Sequence, residues 1–332
     1  MFIDQNTVCY TYENMINDLK VLKRRYSEEI RYDTLTETAD GRQVWHVVIG
    51  NPDAKRKIFV HGSIHGREYI TSRLVMKQAE TFLRYKENGK SYQQIKYDKL
   101  LENAAVHVIP MANPDGVSIS QMGIKGIRTE RVKRQVKEIA RIEGESIEKQ
   151  YFTRWKANGN GVDLNRNFDA GWMQYQDPVG RPASAFYKGI NPECERESAA
   201  LAALTRKEQF CRTISYHTQG NVIYWYFRQK GKLYRDTLAF GRKISEATGY
   251  LLNEDDKNID PAGYKDWAIC KLGIPSLTIE TGYGKSPVSP GQWNDIWKSN
   301  KYVWEETLLS LANEDLCQEN TNKVKINTLK VL

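Results

Sequence analysis

An apolar run that stops on a histidine- and glycine-rich turn and restarts as an amphipathic helix constrains this chain most. KIFVHG (57–62) reads as a buried strand, HGSIHGRE (61–68) as the turn, and YITSRLVMKQAETFLRYK (69–86) as a helix closed by polar ENGK. The pattern recurs. VWHVVIG, AAVHVIPM, RTISYH and IPSLTIE read as further strands, and NPDG follows the second of these as a turn. TYENMINDLKVLKRRY carries apolar residues at helical spacing, and helices are expected near 196–207, 233–248 and 299–312. Alternating strands and helices give an α/β fold, with a mixed, mostly parallel sheet covered by helices on both faces.

The 332 residues show no internal repeat and no low-complexity linker, so 1–332 reads as one domain with a polar C-terminal tail near 313–332. There is no long apolar run and no basic-then-apolar leader, so neither a membrane span nor a secretory signal is expected, and a cytoplasmic location follows. The five cysteines are scattered, odd in number and without a CxxC pair, as expected of reduced thiols. A net charge of +8 suggests an anionic partner. No helix-turn-helix, RNP or zinc-finger pattern supports nucleic acid, so an acidic small substrate is the reading taken, with binding of nucleic acid through the basic stretch near 120–154 as a rival. The charged, helix-prone stretch near 120–154 reads as a solvated insertion, or alternatively as a lid beside the site.

Two of only five histidines lie in HGSIHGRE. His65 and Glu68 are three apart, so one helical turn puts them on the same side, where an imidazole and a carboxylate suit Zn²⁺. HxxE alone is common, but its position at a strand end adds weight. A third ligand has to arrive from another strand, and His217 in TISYHTQG ends one. His46 and His107 sit inside apolar strands as core residues. His61 is the competitor, disfavoured because a ligand so near His65 in sequence leaves the metal without a cage. Glu280 ends the strand in SLTIETGYG, as a structural cap or as a general base. GVDLNRNF supplies Asp163, Asn165 and Arg166. The Asn–Arg pair offers donors that fit a carboxylate, and Asp163 can accept the other ring N–H of a metal-bound histidine. A plain Asn/Asp-rich turn is the alternative.

Taken together, HGRE, NPDG, GVDLNRNF, SYH and TIET occur in the order expected of zinc metallocarboxypeptidases of the pancreatic carboxypeptidase type, which the chain resembles from about Tyr10 to about Leu311. The resemblance implies an eight-stranded mixed sheet between helices and one zinc ion held by His65, Glu68 and His217. It implies that Arg67 lines the substrate path, that Asn165 and Arg166 hold a terminal carboxylate, that Asp163 supports His65, and that Glu280 is the base. It also leaves no room for an inhibitory pro-domain.

Two departures stand out. The family's carbonyl-polarising Arg follows a Trp; here RWKAN puts Lys156 in that slot, with Arg154 close by, and either is a candidate to stabilise the oxyanion. Counting back to the family's mobile Tyr reaches Asn258, while Tyr264 in DPAGYKDW lies at another offset and stands as a candidate substrate-binding residue. Lys265, just before Asp266 and Trp267, takes the position whose side chain selects the terminal residue in the family. A Lys there favours an anionic group, unless it turns to solvent. WKAN–GVDLNRNF and GYKDW look like the bacterial branch that cleaves γ-D-glutamyl–diaminopimelate bonds in peptidoglycan peptides. The alternatives are a general carboxypeptidase for acidic ends and a catalytically silent peptide-binding relative.

Overall fold

The computed structural model describes residue 3, residues 9–254 and residues 260–311; Asn258, Cys317 and the tail near 313–332 lie outside the described residues. Eight strands form one sheet: β1 (Ile30–Glu37), β2 (Gln43–Gly50), β3 (Arg56–His61), β4 (Ala104–Ile109), β5 (Arg212–His217), β6 (Val222–Tyr224), β7 (Leu251–Leu252) and β8 (Ser276–Glu280). Their spatial order is β1-β2-β4-β3-β5-β8-β6-β7. The central strands β4, β3, β5 and β8 run parallel. Antiparallel pairings join β1 to β2, β2 to β4 and β8 to β6. The sheet is therefore mixed, with parallel strands at its centre, as the alternation of elements requires.

Period-2 alternation sorts the central strands into two cores. Ile58, Val60, Ile214, Tyr216, Leu277 and Ile279 face one, and Phe59 faces the other. By the same count His61, Ser215, His217, Thr278 and Glu280 share the Phe59 face. The parallel register aligns His61 with Ile109 and with Ser215, and Glu280 with His217. The sequence-distant polar residues thus reach one edge, the C-terminal edge of the sheet, where α/β sheets gather their ligands.

The main helices are α1 (Tyr12–Arg25), α2 (Ile70–Glu87), α3 (Pro114–Met122), α4 (Glu130–Ile142), α5 (Arg196–Glu208), α6 (Gly231–Thr248), α7 (Tyr264–Leu272) and α8 (Trp293–Asn300), and 303–311 is also helical. Helices α1, α2, α6 and α8 cover the first face, and α5 and α7 the second. α1 begins with a reciprocal cap between Thr11 and Asn14. α2 starts directly after the HGRE turn, so its burial fixes that turn to the sheet.

The charged stretch near 120–154 is not a wholly solvated insertion. α4 buries Val132, Val136, Ile139 and Ala140 against Tyr151, Phe152 and Trp155 in a satellite core. That spacing is an apolar helical stripe, while Arg131, Arg134, Lys137 and Arg141 stay exposed on the other side. This core anchors Trp155, and with it the backbone that carries Lys156.

Buried carboxyls beneath this wall make the fold sensitive to pH. Glu197, in the first turn of α5, is buried beside Asp115 and Glu195, and the amide of Asn158 donates to both glutamates. Burial, then the charges of Asp115 and Glu195, push its carboxyl up to about 8. Burial likewise pushes Glu305 up to about 7. A carboxyl raised in the folded state holds a proton that the unfolded chain releases. The stability that these two carboxyls contribute is therefore full below the ordinary value of 4.5 and declines as pH rises towards 8. One such proton contributes at most about 1.4 kcal/mol per pH unit. In urea titrations Glu197→Gln is expected to flatten the decline between pH 5 and 8, leaving the part due to Glu305 and Glu280. Parallel curves for the two proteins would contradict this.

Candidate active site

β3 ends at His61, and five residues later the chain turns through a short 3₁₀ segment, Gly66–Glu68. That turn swings Glu68 back beside His65, with His65 Nδ1 2.8 Å from Glu68 Oε1. β5 delivers His217 to the same point: its Nδ1 lies 3.0 Å from Glu68 Oε2 and 3.2 Å from His65 Nδ1. All three side chains are buried.

The protonation pattern follows from the partners. His65 Nε2 lies 3.1 Å from Asp163 Oδ1. The Asp163 carboxylate only accepts, so Nε2 carries the hydrogen and Nδ1 turns a lone pair toward His217 and Glu68. Burial pushes the Glu68 carboxyl up, but His65 and His217, when protonated in place of a bound cation, outweigh it and hold Glu68 well below the usual carboxylate range. Glu68 Oε2 makes no hydrogen bond despite its closeness to His217. Converging lone pairs on two imidazoles and a carboxylate, one imidazole oriented from behind by Asp163, are the donor set of a zinc site with an open position. The residues present fit one Zn²⁺.

The other histidines lie outside this set. His61 Nε2 pairs with Ser215 Oγ at 2.8 Å, and burial pushes the ring's pKa down to about 3. His46 Nε2 and His107 Nδ1 pair with each other at 3.0 Å within the sheet.

The NPDG turn has a definite task. Asn113 Oδ1 accepts from the Gly116 N–H at 2.8 Å and caps α3. Its Nδ2 donates to Ile64 O at 3.1 Å and Ala157 O at 3.2 Å, tying the histidine loop to the Lys156 segment. Asp115 accepts from Thr38 and pairs with buried Arg42, which anchors the same turn to the β1–β2 hairpin. Gly66 packs directly on Gly116: a Cβ on Gly66 would lie 2.3 Å from Gly116 O. Only glycine permits that approach.

A cleft of about 600 Å³ opens from the triad. Lys156, Arg67, Asn165, Arg166 and Lys265 all line it, as does Glu280. Lys156 Nζ lies 3.5 Å from Asp163 Oδ2. Asn165 Oδ1 accepts from the Tyr264 N–H at 3.0 Å, which leaves the amide NH₂ as its donor. Arg166 Nη1 donates to Asn165 O at 2.8 Å, and Nη2 pairs closely with Asp260. Lys265 is buried rather than turned to solvent: Nζ donates to Tyr226 O at 2.9 Å and pairs closely with Asp266. Glu280 is half-buried. Burial first, then the Glu68 charge, push its carboxyl up to about 8, against the pull of His65, Lys156 and Arg67.

Two expectations are corrected. Arg154 is exposed and pairs with Glu145 at 2.7 Å, because the backbone turns between it and Lys156; it does not line the cleft. Tyr264 is fully buried, its hydroxyl 2.8 Å from Thr205 Oγ1 and its ring packed among Phe59, Phe168 and Trp267. It is a core residue of α7, whose next position, Lys265, faces the cleft. Sequence reasoning missed Asp260 and Tyr226, which hold Arg166 and Lys265 respectively; as lone loop residues they gave no signal. A second hollow, of about 680 Å³, opens around Phe210, Arg212 and Pro275 and contains none of these groups.

The Gly66–Gly116 contact sets a test. In Gly66→Ala the new methyl group meets a backbone carbonyl that has no room to retreat. A loss of metal content is expected even if the protein stays folded by circular dichroism, and metal content equal to wild type would contradict the packing argument.

Comparison with known proteins agrees with the geometry. Residues 15–305 match the family model described as zinc carboxypeptidase. The chain is 29% identical over 290 residues to gamma-D-glutamyl-L-diamino acid endopeptidase 1 of Lysinibacillus sphaericus, covering 87% of this chain and 69% of that protein. It is 25% identical over 278 residues to carboxypeptidase O of Bos taurus, covering 78% and 66%. The solved structure of bovine thrombin-activatable fibrinolysis inhibitor, in complex with tick carboxypeptidase inhibitor, superposes with a TM-score of 0.69 at 18% identity, over 92% of this chain and 97% of that one. With a matching fold, a fitting metal triad and a family match across most of its length, this chain belongs to the zinc carboxypeptidases.

Proposed function

We propose that this peptide hydrolase cleaves the γ-D-glutamyl–diaminopimelate bond of peptidoglycan-derived peptides, with the acidic terminal residue held in the cleft. The observation that carries this reading is the inward, buried Lys265. Its ammonium has three donors; Tyr226 O and Asp266 take two, which leaves one for a ligand carboxylate. Asn165 and Arg166 receive a second carboxylate, and diaminopimelate has two. The likeness to gamma-D-glutamyl-L-diamino acid endopeptidase 1 supports the same substrate class. Four free thiols among the described residues, Cys9, Cys194, Cys211 and Cys270, support a reducing, cytoplasmic location. No helix among the described residues is long and apolar enough to cross a membrane.

The division of labour is as follows. When bound, zinc supplies Lewis-acid polarisation of the scissile carbonyl and makes water a better nucleophile near neutral pH. Glu280, whose ionisation a cation beside Glu68 would favour by offsetting the Glu68 charge, takes the proton of the attacking water and later passes it to the leaving amine. The Lys156 ammonium faces the oxygen on which negative charge develops, as a point charge in place of a guanidinium fork. Asp163 keeps His65 in one tautomer and draws Lys156 to the same corner. Arg67 lines the approach of the chain.

Three measurements check this reading. Peptides containing γ-D-Glu–diaminopimelate are expected to be cleaved faster than peptides ending in Phe, Arg or Glu, with mass spectrometry identifying the products; faster release of Phe or Arg would sink the substrate assignment, and faster release of L-Glu would favour a general acidic carboxypeptidase. Glu280→Gln should lower kcat by at least ~10²–10⁴-fold with zinc still bound. Lys265→Met should cost about 2–5 kcal/mol in kcat/KM for the diaminopimelate peptide, mostly through KM.

A further inference from the structure

Phe186 is a large apolar residue left 45% exposed. Its backbone adopts φ +70°, a left-handed conformation that a side chain bearing Cβ rarely takes. Such strain persists only where surrounding contacts impose it. Here they do. The Phe186 N–H donates to Asp163 Oδ2 at 3.2 Å, on the same carboxylate that orients His65. Its carbonyl accepts from the Tyr175 hydroxyl at 3.3 Å, and the Tyr175 ring lies under the Arg166 guanidinium, 5.2 Å from ring centre to Cζ. The ring of Phe186 stands 5.0 Å from Lys156 Nζ.

The Lys156 ammonium therefore has two neighbours of different kinds. Asp163 Oδ2 attracts it from 3.5 Å, beyond a good hydrogen bond, and the aromatic ring attracts it through its quadrupole. Lysine is a flexible point charge without the fork that would orient it. A carboxylate alone would leave it free to swing toward Asp163, or away into water. The ring closes the second direction without adding a competing anion.

We propose that Phe186 is a positioning residue for the reaction: fixed in a strained backbone by Asp163 and Tyr175, its ring holds the Lys156 ammonium where the carbonyl oxygen develops charge. This rests on the role given to Lys156 above. Phe186 touches no reacting atom; it acts through Lys156.

The test compares Phe186→Leu, Phe186→Tyr and Phe186→Gly with Lys156→Met, on whichever peptide of the panel is cleaved fastest. Phe186→Leu is expected to lower kcat about 3- to 30-fold with little change in KM, the range set by a cation–π contact. Phe186→Tyr keeps a ring face and should restore kcat to within about twofold of wild type. Phe186→Gly relieves the left-handed strain, so its melting temperature should equal or exceed wild type while kcat falls as in Phe186→Leu. Combined with Lys156→Met, Phe186→Leu should add no further loss. Independently of turnover, NMR of lysine-labelled protein should show Lys156 side-chain resonances shifted by the ring, retained in Phe186→Tyr and lost in Phe186→Leu. If Lys156→Met loses activity but Phe186→Leu does not, the positioning role is wrong and the Lys156 assignment stands. Full activity in Lys156→Met overturns both, and a fall in Phe186→Leu that Tyr does not rescue rules out the ring as the cause.

Discussion

Two imidazole nitrogens 3.2 Å apart and a carboxylate within 3.0 Å of each are electrostatically unstable in a dry pocket unless a positive charge sits among them. Either protons or a cation can supply that charge. Asp163 decides between them on one side: by occupying the hydrogen on His65 Nε2 it leaves Nδ1 as a lone pair, which suits a metal. The remaining structure serves this convergence. Parallel pairing of β3, β5 and β8 brings His217 and Glu280 into register, and the Gly66–Gly116 contact lets the histidine loop lie flat on the NPDG turn.

Asp163 joins three of these contacts. One oxygen orients His65; the other attracts Lys156 and accepts from the Phe186 backbone. Burial opposes its ionisation, yet the charges of Lys156 and His65 hold its carboxyl well below the usual range. A single buried carboxylate thus couples the metal ligand set to the Lys156 ammonium in the cleft. In the same cleft, Lys265 and Arg166 each sit against an aspartate, which keeps buried cations from standing unpaired.

Much of this was legible in the sequence, for identifiable reasons. His65, Glu68, His217 and Glu280 end apolar runs or follow them directly, and strand ends are where a parallel sheet collects polar groups. Asn165, Arg166 and Lys265 stand out through their motifs, and all three line the cleft. Side-chain direction was harder. Tyr264 and Lys265 are adjacent on α7 and point oppositely, one into the core and one into the cleft, and only the packing of that helix on Phe168 and Phe59 decides which. Arg154 is turned outward by a backbone turn that no spacing rule reveals. The stripe of Val132, Val136 and Ile139 was present in the sequence but obscured by the surrounding charges. Phe186, Tyr175 and Asp260 come from loops, where contacts between distant segments leave no periodic trace.

The most direct measurement is anomalous diffraction from crystals of the purified protein, recorded on either side of the zinc absorption edge. One strong peak within bonding distance of His65 Nδ1, Glu68 Oε1 or Oε2 and His217 Nδ1, and absent from crystals of His217→Ala, is the predicted result. A map with no peak there, or with zinc bound only elsewhere, would contradict the account.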